Sequence, residues 1–181
     1  MNQPLAYFLT FTCYGAWLHG QRAGSVDRKH NAPGTLLVPA DERRRNREQQ
    51  RMDQPSYHLD APRRRLVLQA IQEVCTYRQW ELLALHVRPS HVHVIVHADA
   101  PPECVLNDFK AYASRALNAS SLDAADCKRW TRHGSTLYLW TEASVEEKVH
   151  YVLYEQGEPM EVYAAINPSR DREGAAGQTA P

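Results

Sequence analysis

The stretch His91-Val92-His93-Val94-Ile95-Val96-His97 constrains this chain more than any other. Successive side chains of a strand point to opposite faces. Val92, Val94 and Val96 therefore share one face, and His91, His93, Ile95 and His97 share the other. The valines call for burial under packed helices. The imidazoles call for hydrogen-bond partners or a cation. A sheet covered on one face and open on the other meets both demands.

The flanking segments supply the rest of such a sheet. Tyr7 to Cys13 is aromatic and β-branched and reads as a first strand ending near Gly15. From His19 to Leu59 the chain is polar and broken by Gly20, Gly24, Pro33, Gly34, Pro39 and Pro55, which predicts a long insertion with an Arg-rich helix around Asp41 to Arg51. Asp60 as N-cap, Pro62 in the first turn and the stripe Val67, Ala70, Ile71, Val74 predict a helix. Strands follow over Glu81 to Val87 and His91 to His97, joined by Arg88-Pro89-Ser90. Pro101-Pro102 opens a second helix with Val105, Leu106, Phe109, Ala113 and Leu117 at helical spacing. Ser135 to Trp140 alternates as a fourth strand, and a capping box Ser144-x-x-Glu147 starts a last helix that stops at Gly157.

This order predicts an α+β fold: a ferredoxin-like split βαβ sandwich with a four-stranded antiparallel sheet. To it are added a long insertion after the first strand and an extra C-terminal helix carrying Tyr151. The expected organisation is one domain over 1–157, with the insertion at about 19–59, and a disordered tail over 158–181.

Lys plus Arg and Asp plus Glu number 21 each, so any nucleic-acid contact must come from patches rather than overall charge. Arg43 to Arg45, Arg63 to Arg65 and Lys128-Arg129 are such patches, whereas Glu142 to Glu147 is acidic. The four cysteines, Cys13, Cys75, Cys104 and Cys127, form no CxxC pair and read as reduced thiols of a cytoplasmic protein. No leader-like start is present, and no apolar run approaches the ~20 residues that span a bilayer, so no membrane partner is expected.

His91 and His93 lie two residues apart on the open face and can share one cation through neutral imidazoles. His97 continues the line at a greater distance. No cysteine spacing completes a zinc site, and two histidines finished by oxygen suit Mg²⁺ or Mn²⁺ beside a phosphate. In the last helix Val145, Val149, Val152 and Leu153 form the apolar stripe, and Tyr151 falls roughly 150° from its centre. Glu155 is one turn further on nearly the same face. Phenol and carboxylate thus form a candidate nucleophile and third ligand, with Tyr154 as the alternative nucleophile. Lys110, Arg115, Trp17 and Trp130 are candidate DNA contacts, while Trp80 and Trp140 read as core.

Arg88-Pro89-Ser90-His91-Val92-His93, Leu106-x-x-x-Lys110, Trp130 and Tyr151-Val152-x-x-Glu155-Gln156 together resemble the HUH-type single-tyrosine transposases of the insertion-sequence class, including the REP-associated tyrosine transposases. The resemblance covers most of residues 5–157. It implies a homodimer that nicks and rejoins single-stranded or hairpin DNA through a 5′-phosphotyrosine, with Tyr151 as nucleophile and His91 and His93 as ligands. The family's third ligand is a Gln or Asn four residues after the tyrosine. Here Glu155 holds that place, with Gln156 one residue later, admissible if the last turn is distorted. A domesticated hairpin-DNA-binding protein without transposition activity, and an unrelated metal-binding ferredoxin-like domain, are the alternatives.

Overall fold

The computed structural model describes residues 3–18, 40–124 and 126–165. Among these, the elements run β1 (Ala6–Thr12), α1 (Glu42–Gln50), α2 (Ala61–Arg78), β2 (Glu81–Val87), β3 (His91–His97), α3 (Pro102–Ala119), β4 (Ser135–Leu139), α4 (Glu142–Tyr154) and β5 (Glu161–Ala164). The sheet order is β4-β1-β3-β2-β5, and every pairing is antiparallel. Its first four strands carry the split βαβ pattern, with β3 at the centre.

The expected four-stranded sheet is corrected to five. β5 pairs Ala84 with Ala164 and Val87 with Glu161, in a segment read from sequence as the start of a disordered tail. Without it, the outer edge of β2 would present unpaired peptide groups, and a short strand satisfies them. The tail beyond 165 and insertion residues 19–39 lie outside the described residues.

Register decides which side chains meet. Leu9 lies opposite Val94 and Phe11 opposite Val92, while Leu85 faces Val94 from the other side. All of these side chains are fully buried beneath α2 and α3. Asp60 caps α2 by accepting from the Arg63 amide at 3.0 Å, and Pro102 opens α3 where its missing N–H costs nothing.

On the opposite face lies α4. It begins earlier than Ser144, because Thr141 is the N-cap and Ser144 completes the capping box from inside the helix. The Thr141 hydroxyl accepts from the Ser144 amide, and Ser144 Oγ accepts from the Thr141 amide, both at 3.2 Å. Val152 is fully buried against Ala6, Ala84, Ile95 and Leu139. Burying such a side chain is worth about 1.5–3 kcal/mol, enough to seat the helix. The face expected to be open is therefore partly roofed by the chain's own last helix.

The end of the insertion is also built into the body. Tyr57 and Leu59 are buried, and their amides donate to Tyr14 and Pro89 carbonyls at 2.8 Å each. Gly15 turns the chain with φ +69°, and a Cβ there would collide with Met52 and with Ser56 Oγ. Beside this junction Asp123 accepts from Tyr57 Oη at 2.7 Å, Arg63 Nε at 2.9 Å and Arg129 Nε at 2.8 Å. Burial pushes the Asp123 carboxyl up, but these three donors outweigh it and hold the group below its ordinary value.

Asp123→Asn should destabilise the fold by about 3 kcal/mol, because two guanidinium groups lose a buried partner. Chemical denaturation at pH 7 checks this: the urea midpoint should fall sharply with little change in slope.

Candidate active site

Antiparallel pairing places a row of polar side chains across the roofed face. Thr10 of β1 and His86 of β2 are the cross-strand partners of His93, one on each side. His91 lies at the start of β3, and its ring meets that of His93 at 4.7 Å between centroids, edge to face. Thr10 Oγ1 is 2.8 Å from His93 Nδ1, and Ser90 Oγ is 3.1 Å from His91 Nδ1. Each imidazole is thus held by a hydroxyl through the same ring nitrogen.

Tyr151 reaches this row from α4. Its ring lies 6.0 Å from the His93 ring and 6.0 Å from that of Phe8, edge-on to both. Sequence geometry set Tyr151 off the packing stripe. In the fold it is half-buried at the edge of that stripe, next to the fully buried Val152. Tyr154 points elsewhere: it is 70% exposed, beside His150.

The chain leaves the helix immediately after Tyr154. Glu155 is the C-cap, with φ −104° and ψ 9°, and Gly157 reverses the backbone at φ +78°. Arg88 holds the turn by donating from Nη1 to the Glu158 carbonyl at 2.6 Å. The distorted last turn swings Gln156 inward. His93 Nε2 donates to Gln156 Oε1 at 3.1 Å, while the Gln156 amide nitrogen points to the Tyr151 carbonyl at 3.4 Å. Glu155, the expected third ligand, is not brought to the histidines. It is exposed and paired with His150 Nδ1 at 3.0 Å. An ideal helix puts Glu155 beside Tyr151, but the helix has ended by then.

Burial is the main reason both imidazoles hold protons weakly. It lowers His91 to about 4, aided by the charge of Arg88, and His93 to about 3, aided by His91. Both are therefore neutral near pH 7, the form that binds cations. Among the described residues no group of three or more His, Cys, Asp and Glu is arranged to hold a metal ion; the polar groups gathered around His93 are the His91 ring and the Gln156 amide oxygen.

Other expected contacts resolve differently. His97 is set apart, its Nδ1 donating to the Leu5 carbonyl at 2.8 Å. Lys110 is buried and spends its ammonium on the carbonyls of Thr131 at 2.9 Å and His133 at 3.0 Å, and burial lowers its pKa to about 8. It braces the loop before β4 instead of facing solvent. Arg115 lies over the Tyr112 ring. Trp130 packs edge-on to Phe11 and donates to Ser114 Oγ. Trp80 packs on Phe109 as expected, but Trp140 is 51% exposed and stacked on Tyr138. Trp17 is exposed.

Sequence reasoning missed Thr10, Ser90 and His86. His86 is fully buried and its Nδ1 donates to the Val152 carbonyl at 2.9 Å, pinning α4 to the sheet beside Tyr151. Alternation alone puts Thr10 on the same face as Phe8, but only the register shows that it faces His93.

The family described as IS200-like transposases matches residues 53–152, more than half of the chain. The chain belongs to this family. It is similar in structure to a REP-associated tyrosine transposase bound to a REP hairpin, with a TM-score of 0.47 and 13% identity over 84% of this chain and 67% of that one. A protein of Deinococcus radiodurans described as a transposase is similar with a TM-score of 0.43 and 13% identity, over 84% of this chain and 91% of that one. No curated protein matches the chain. Among the described residues no helix is long and apolar enough to cross a membrane.

The neutral histidines make a checkable demand. His91 and His93 take up protons less readily folded than at the ordinary 6.5, so their burial costs nothing above that pH. Stability should erode as pH falls from about 6.5 toward 4. In metal-free protein, the Cε1–H resonances of both rings should hold their neutral positions from about pH 8 to 5.

Proposed function

We propose that this chain cleaves and rejoins single-stranded DNA through a transient covalent bond between Tyr151 and a DNA 5′-phosphate. One observation carries the reading: a single chain sets a phenol, two neutral imidazoles and an amide oxygen on one sheet face, with Tyr151 and His93 rings 6.0 Å apart. Membership of a transposase family gives that constellation DNA as its substrate class. The substrate proposed is single-stranded DNA, folded into a short hairpin, as the resemblance of the motifs implies.

In the proposed step, Tyr151 Oη attacks phosphorus and the bond to the 3′ oxygen breaks. The phenol gives up its proton to solvent, and the departing 3′ oxygen takes one up as a hydroxyl. Rejoining reverses the exchange, with an incoming 3′-OH displacing the tyrosine. His86 holds the backbone of α4 and the Gln156 amide meets the Tyr151 carbonyl, so the nucleophile is oriented from both sides.

The donor set fits Mg²⁺ or Mn²⁺. His93 Nε2 and Gln156 Oε1 are 3.1 Å apart. Two neighbouring ligands of an octahedral Mg²⁺ are separated by about 3 Å at its usual bond length. His91, His93 and Gln156 would hold the ion, with Gln156 in the role first assigned to Glu155. Such an ion polarises a phosphate oxygen and stabilises charge in the displacement. All of these residues come from one chain, and the homodimer implied by the resemblance would bring two such sets together.

Tyr151→Phe should abolish the denaturation-resistant adduct with hairpin DNA while leaving binding within a few-fold. An adduct formed by the variant at the parental rate would sink the mechanism. Parental binding with no cleavage in Mg²⁺ or Mn²⁺ would instead support a hairpin-binding protein. Separately, Gln156→Ala should weaken Mn²⁺ binding on the order of tenfold or more, whereas Glu155→Ala should leave it nearly unchanged. Calorimetric titration with the metal alone separates the two.

A further inference from the structure

We infer that Thr10 and Ser90 are positioning residues for the cation: hydroxyls that hold His93 and His91 by Nδ1 in either tautomer and so keep both Nε2 atoms free to ligate one ion. The inference rests on the metal site proposed above and goes beyond it, to residues that touch neither metal nor DNA.

Gln156 decides which nitrogen of His93 carries the hydrogen. Gln156 offers its oxygen to His93 Nε2 at 3.1 Å, because its nitrogen is turned to the Tyr151 carbonyl. A carbonyl oxygen only accepts, so the ring hydrogen is on Nε2. Nδ1 is then a bare acceptor, and Thr10 Oγ1, 2.8 Å away, donates to it. Ligation by Nε2 demands the reverse. The hydrogen must move to Nδ1, which then donates to the same hydroxyl. The ring's charge is the same in both states; only the position of its hydrogen changes.

A hydroxyl is suited to this because it donates or accepts by rotation. A carboxylate or backbone carbonyl at the same place would accept only, and would fix the ring permanently in the ligating tautomer. The carboxylate would also add negative charge beside a group whose burial already disfavours charge. Valine would fill the space and do neither. Ser90 Oγ, 3.1 Å from His91 Nδ1, gives the second ring the same arrangement. Thr10 is fixed as the cross-strand partner of His93, and Ser90 is the residue immediately before β3. Both hydroxyls are therefore positioned by the sheet itself. Partners on the non-ligating nitrogen of a metal-bound histidine commonly contribute about 10–100-fold in affinity.

The test is calorimetric titration of the full chain with Mn²⁺ alone. Thr10→Val, which is nearly isosteric, should weaken binding on the order of tenfold without lowering the unfolding temperature, and Thr10→Ser should restore it. Ser90→Ala should act in the same direction. In parallel, ¹⁵N spectra of His93 should show hydrogen on Nε2 in metal-free protein and on Nδ1 with saturating Mg²⁺. Parental affinity in Thr10→Val, or hydrogen on Nδ1 in the metal-free parent, would overturn the inference while leaving the metal site in place. A parent that binds no Mn²⁺ would overturn the metal site and the inference with it.

Discussion

The structure depends on β3 being paired on both sides. Its peptide groups bond to β1 and β2, so its register is set twice over, and each pairing confirms the face assigned by the other. A slip of one residue on either side would turn Val92, Val94 and Val96 outward and drive His91 and His93 under α2 and α3. Three fully buried valines make that slip prohibitively unfavourable. The polar row Thr10, His93, His86 is therefore a by-product of apolar packing on the far side of the sheet.

That division of labour explains how the protein tolerates buried polar groups so close together. Each ring has a specific partner at Nδ1: Thr10 for His93, Ser90 for His91, the Val152 carbonyl for His86, whose Nε2 is buried without one among the described residues. The same rule governs the junction where the insertion returns, with Asp123 answered by Tyr57, Arg63 and Arg129.

Much of this was legible beforehand, and the gaps have physical causes. The alternation in β3, the Asp60 cap and the Pro102 start are local signals, and they lead to the right elements because local chemistry dictates them. The fold class follows from their order. β5 was not legible, since four residues with modest patterning become a strand only when the edge of β2 is there to pair with. The α4 start was misplaced because Thr141 and Ser144 are both capping residue types, and only the backbone decides between them. Glu155 was expected beside the histidines, with Gln156 as the alternative; that Gln156 is the one lying against His93 was not legible, because helical geometry was carried one residue past the helix. Thr10 and His86 needed cross-strand register, which no single stretch of sequence contains.

The placement of α4 has a mechanical consequence. The helix leaves the sheet from β4 at one edge and returns through β5 to the other edge, so it lies across the face like a strap buckled at both ends. One buckle is the capped start at Thr141. The other is the turn at Gly157, held by Arg88 and followed by the pairing of β5 with β2. To lend its tyrosine to a neighbouring subunit, the chain would have to peel away a whole edge strand and break the His86 bond to Val152. With both buckles fastened, Tyr151 lies beside the histidines of its own chain, and lifting the helix costs the β5 pairing and the His86 bond together.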